Sequence, residues 1–68
     1  MRAVSGKELI RILRKHGWDV SRIEGSHHVL TRPGRKETLS VPVRGNRTLR
    51  KGTVRTILRL VRVSLEEE

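Results

Sequence analysis

Two adjacent histidines behind a glycine turn, in the run Gly25-Ser26-His27-His28, are the residues of this chain best suited to chemistry. Imidazole is the side chain matched to proton transfer near neutral pH, and surrounding cations favour its neutral, basic form until a phosphate arrives. The two histidines open a β-prone run, and neighbours on a strand point to opposite faces, so one imidazole is expected on each face of a sheet. If Val29 packs inward with Thr31 at the core edge, then His28, Leu30 and Arg32 project outward. The opposite register exposes His27 instead. Leu30 is as apolar as Val29, so alternation alone leaves both registers open, and a histidine pair hydrogen-bonded to backbone at the sheet rim remains the non-catalytic reading. His16 falls at the end of a helix, where the macrodipole already accounts for it.

Other chemistries find no residues. The chain has no cysteine, hence no thiol nucleophile, disulfide or thiolate metal site. A Gly-x-Ser-x-Gly elbow is missing, and few acids are present to orient a base. Three histidines and the scattered acids show no ligand spacing such as His-Glu-x-x-His, and no phosphate-cradling glycine loop occurs. Neither a metal nor a cofactor is expected.

Charge points to a partner. Lys and Arg number 16 against 7 acids, a net charge of +9, and three of those acids are the terminal Glu66, Glu67 and Glu68. Like charge at this density repels itself, so a polyanion is the natural partner, nucleic acid first and an acidic protein second. Arginine outnumbers lysine 12 to 4, which favours planar contacts to phosphate or bases; heat adaptation also enriches charged residues. The candidate phosphate contacts are Arg44, Arg47, Arg50, Lys51 and Arg55, around the last loop and helix start, with Arg32 beside the histidine run.

These residues must be held by one small domain spanning residues 1–68, with 34% apolar residues and Trp18 as sole aromatic. No apolar run approaches the roughly 18 to 20 residues that cross a bilayer, and no signal peptide opens the chain, so a soluble, cytoplasmic protein without membrane contact is expected. Ser5 and Glu8 form a capping box, with Val4 and Leu9 placed as a hydrophobic staple, and Gly17 is a stop signal, predicting a helix over about Ser5 to His16. Three strands follow, at about Trp18–Glu24, His27–Arg32 and Glu37–Val43, separated by turns at Gly25-Ser26 and Pro33-Gly34. The second turn suits type II and makes the last two strands an antiparallel hairpin, while Pro42 suggests a free edge. Val54, Ile57, Leu58 and Val61 mark a final helical stripe, with Arg55, Arg59 and Arg62 on another side. Ser64 and Glu67 form a weak second capping box. The predicted fold is α+β: a two-layer α-β-β-β-α sandwich, its three-stranded antiparallel sheet carrying both helices on one face.

In that order, Ser5-Gly6-Lys7-Glu8-Leu9-Ile10, Gly17-Trp18, Gly25-Ser26-His27-His28, Val41-Pro42 and Gly52-Thr53-Val54-Arg55-x-Ile57-Leu58 give a chain that resembles the HicA family of small toxins, from about Ser5 to Leu65. The resemblance implies a double-stranded-RNA-binding-like fold, metal-independent cleavage of mRNA, and neutralisation by a HicB antitoxin. It also implies that the last residue of Gly-Ser-x-His, here His28, is catalytic, while His27 occupies the variable position. Two departures stand out. Relatives often end the last helix with Ala-Gly before Leu-Ser, where this chain has Val61-Arg62-Val63-Ser64, and only Arg50-Lys51 resembles the Lys-Lys of an orthodox duplex-RNA-binding domain. The expectation is therefore the toxin of a type II toxin–antitoxin pair, an endoribonuclease with His28 as general acid or base and His27 as a candidate supporting residue. The alternatives are a non-catalytic RNA-binding module using the same basic surface, and a protein that only binds an acidic partner. An acidic HicB-like inhibitor is expected to cover His28, with Leu30 as an outward apolar anchor.

Overall fold

The computed structural model describes residues 2–63; the Ser64–Glu67 capping box lies outside the described residues. The elements are α1 (Gly6–Lys15), β1 (Asp19–Glu24), β2 (His27–Thr31), β3 (Leu39–Pro42) and α2 (Lys51–Val61), in the predicted order.

Helix α1 starts and stops on local chemistry. The extended Ser5 accepts the Glu8 amide proton through its hydroxyl at 3.1 Å, and its own amide donates to the Glu8 carboxylate at 3.3 Å. Such a cap is worth roughly 0.5–2 kcal/mol. At the other end the Gly17 amide donates to Arg14 O (3.2 Å) and the Trp18 amide to Leu13 O (3.1 Å), a Schellman motif with Gly17 at φ 93°. This reversal turns Trp18 into the core, where it is buried. Helix α2 ends in the same hydrogen-bond pattern, from Arg62 to Arg59 O and Val63 to Leu58 O. Arg62, however, occupies the left-handed position at φ 57° where α1 has glycine.

The sheet order is β1-β2-β3, antiparallel throughout, so the histidine strand is central and β3 is an edge, in keeping with Pro42. Gly34 takes φ 83° and the Arg35 amide donates to Arg32 O at 3.1 Å, as the type II turn requires. Strand β3 begins at Leu39, later than the expected Glu37. Glu37 is engaged locally: Arg35 donates to both its carboxylate oxygens at 3.1 and 2.9 Å. That guanidinium holds the Glu37 carboxyl well down, to about 2. Arg35 also lies 5.7 Å from the centre of the Trp18 ring and donates to Leu60 O at 3.4 Å, tying the hairpin connection to the core and to α2.

Both helices cover one face. Leu9, Ile12 and Leu13 of α1 and Val54, Ile57 and Leu58 of α2 form one cluster with Trp18, Leu30, Leu39 and Val41. The three sheet residues in that group share a face, because Leu30 opposes Leu39 across the β2–β3 ladder and Val41 lies two positions on from Leu39. Val29, opposite Ser40, is buried on the other face outside this cluster. Gly6 permits the close approach of α1 to β3: a Cβ there would collide with the Pro42 carbonyl oxygen. The segment leading to α2 is pinned to the N-terminus by the Leu49 amide donating to Val4 O at 2.8 Å and by a bridge between Ser5 and Thr48.

Candidate functional site

The alternation of β2 does place the two imidazoles on opposite faces. Leu30 settles which is which, since it is fully buried among helix residues. His28, two positions earlier and opposite Val41, therefore shares the helix-covered face, while His27, opposite Pro42, faces the open side. The register that turns His28, Leu30 and Arg32 outward does not occur, and Leu30 offers nothing to a partner. Covered by both helices, Leu30 removes more apolar surface from water than Val29 does opposite the exposed Ser40.

His28 is nevertheless half-buried rather than lost in the core, because it stands at the margin of the helix layer. Its Nδ1 is buried and has no hydrogen-bond partner among the described residues. Across the β1–β2 ladder His28 faces Ile23, which is 60% exposed. Alternation from Val20 would send Ile23 to the open face. A bulge between Val20 and Arg22 inserts Ser21, whose hydroxyl donates to Val29 O at 3.3 Å, and so brings Ile23 to the face of His28. A single isoleucine between Arg22 and Glu24 carries no sign of this placement in the sequence.

His27 is exposed to a different neighbourhood. It lines an open depression of about 450 Å³ together with Arg44, Arg47, Thr48, Arg50 and Thr53. The structure thus gathers His27 and three of the candidate cations, and sets His28 apart from them on the other face of the strand. Arg50 is the N-cap of α2 and Lys51 its first residue; Lys51 and Arg55 are exposed on that helix and are not among the residues forming the depression. Arg32 follows the far end of β2, where its guanidinium packs over Gly17, 3.0 Å from where a Cβ would stand. Four residues of strand, roughly 13 Å, separate it from His28.

Among the described residues no three or more histidines, cysteines or acids come together in a group able to hold a metal ion, and no helix is long and apolar enough to cross a membrane. Among curated proteins, none matches the chain. The motifs that carry the sequence resemblance, from Ser5-Gly6 through Gly25-Ser26-His27-His28 to the Gly52–Leu58 run, fall almost wholly within the stretch that the family comparison matches. Residues 6–63 match the family model of the HicA toxin of bacterial toxin-antitoxin, and the chain belongs to that family of toxins.

Proposed function

We propose that this HicA-family toxin is an endoribonuclease that cleaves mRNA in the cytoplasm without a metal, acting as one domain over residues 1–68, with His28 as the proton-transferring group. The observation that carries this reading is the placement of His28: a half-buried imidazole with its Nδ1 enclosed and unpartnered among the described residues, at the margin of the helix layer of a strongly basic chain. In the reaction a base removes the 2′-hydroxyl proton, that oxygen bonds to the adjacent phosphorus, the bond from phosphorus to the 5′-oxygen breaks, and the departing oxygen takes up a proton. Arginine and lysine side chains, drawn from Arg32, Arg44, Arg47, Arg50, Lys51 and Arg55, hold the phosphates of the RNA backbone and position the strand for cleavage at His28. His27 points to the opposite face of β2, which argues against the two imidazoles acting as acid and base on one phosphate.

Membership of a toxin–antitoxin family supplies a partner, and we take it to be an acidic HicB-like antitoxin that masks His28. Ile23, exposed beside the imidazole, is the apolar anchor for it in place of Leu30. Complementary charge speeds such an encounter while desolvated contacts hold it. A second reading, RNA binding without cleavage, draws support from the gathering of Arg44, Arg47 and Arg50 away from His28. Incubating the purified protein with a structured RNA, with and without excess chelator, separates the two. Cleavage in both arms is expected; intact RNA in both favours the binding module, and cleavage abolished by chelator overturns the metal-free mechanism.

A further inference from the structure

We propose that the depression beside β2 is a phosphate subsite for the RNA strand, with His27 as one of its ligands, separate from the cleavage centre at His28; this rests on the RNA reading above. The argument is one of unbalanced charge. Each of the four described carboxylates is paired with an arginine elsewhere: Glu8 with Arg2, Asp19 with Arg14, Glu24 with Arg22 and Glu37 with Arg35. Arg44, Arg47 and Arg50 have no such partner among the described residues, yet they converge with His27 on one concavity that no described carboxylate lines. Holding like charges together costs free energy that an anion in their midst returns.

The depression is also built in advance of any ligand. The turn from Arg44 to Arg47 is closed by a 3.1 Å backbone hydrogen bond, and the chain beyond it is fixed to Val4. The guanidiniums are therefore carried on an ordered loop, and their planar forks match phosphate oxygens in pairs. The hydroxyls of Thr48 and Thr53 add neutral donors. Helix α2 begins here without a side-chain cap and with no acid in its first turn, so its local field adds to the cations rather than opposing them.

The occupant is RNA rather than the antitoxin because a protein interface is anchored by desolvated apolar contacts. Neither of the large apolar side chains exposed among the described residues, Ile23 and Leu60, lines the depression, whose apolar lining is the half-buried Pro42 and Leu49. The depression joins the His27 side of β2 to the start of α2, and a strand held there reaches His28 around the Gly25-Ser26 end of the sheet, so the phosphate gripped and the bond cleaved lie at different points of one strand. His27 accordingly serves binding, and His28 serves chemistry.

The test uses the whole protein and a 2′-O-methyl oligoribonucleotide, which lacks the nucleophile and reports binding apart from cleavage, alongside inorganic phosphate. Both probes should shift the NMR signals of the His27 ring and of the Arg44 and Arg47 side chains. An Arg44→Gln, Arg47→Gln double variant should bind the oligonucleotide at least tenfold more weakly, with a salt slope shallower by about 1.4, at about 0.7 per lost contact. His27→Gln should raise KM for cleavable RNA more than it lowers kcat. Wild-type affinity and slope in the double variant, or its loss of antitoxin binding alone, would overturn the subsite even if His28-dependent cleavage stands. Binding that follows these variants in a protein that never cuts RNA would uphold the subsite while the ribonuclease reading falls.

Discussion

Ile23 stands directly across the β1–β2 ladder from His28, and it does so because Ser21 bulges out of β1. The bulge shifts the alternation of the outer strand by one residue, so that an apolar side chain meets the margin of the helix layer instead of the open face. Exposed at 60%, Ile23 contributes little to the core. Ile23→Asp should therefore leave folding nearly unchanged while weakening antitoxin binding at least tenfold. Calorimetric titration of the pair with circular dichroism of the free toxin checks both halves, and unchanged affinity would remove Ile23 from the interface.

His28→Ala should lower RNA cleavage by roughly 10²–10⁴-fold, the range ascribed to a positioned acid or base, and should abolish growth inhibition. Most RNA affinity should remain, because the gathered cations lie elsewhere. A cleavage time course alongside binding to uncleavable RNA measures the two separately. A folded His28→Ala protein with full activity would sink the assignment.

Gly6→Ala should destabilise the fold. The added methyl meets the Pro42 carbonyl oxygen, a backbone atom that cannot rotate away, and forces α1 from β3. A cost of roughly 1–3 kcal/mol is expected from such overpacking, against less than about 1 kcal/mol of gained helix propensity. Thermal unfolding should show a lowered Tm; an unchanged one would mean that α1 shifts without loss.

Arg62→Gly should act in the other direction. A non-glycine residue in the left-handed position costs roughly 1–2 kcal/mol, part of which glycine returns to the unfolded chain as entropy. A net gain of up to about 1 kcal/mol in denaturant unfolding is expected, at the very position where HicA relatives were expected to carry the glycine of Ala-Gly.

Glu37 provides a pH signature. Paired with Arg35, its carboxyl is held down to about 2 in the folded protein, against an ordinary value of about 4.3 in the unfolded chain. A depressed folded value means that the pair's stabilisation is complete above about pH 4.3 and disappears as the pH falls through about 2. Carbon-detected titration should show Glu37 near 2 in the wild type and returned toward 4.3 in Arg35→Gln. Stability of that variant should also fall less steeply across the same window.

Local chemistry was enough to place the elements, because each signal acts within a few residues. The Ser5–Glu8 box, the Gly17 reversal, the Pro33-Gly34 turn and the Val54–Ile57–Leu58 stripe all appear where the sequence puts them. The Gly-Ser-x-His run likewise sits at the start of the central strand. Which face each histidine takes was beyond such reasoning, since Val29 and Leu30 are equally apolar and the choice falls to whichever one the two helices bury. The neighbour of His28 depends on a bulge held by a hydrogen bond from Ser21 to Val29, eight residues away. The convergence of Arg44, Arg47 and Arg50 with His27 depends on a loop fixed to Val4 and Ser5, more than forty residues back along the chain. Hydrogen bonds and burial between distant segments decided these placements, because only the folded chain brings their partners within reach.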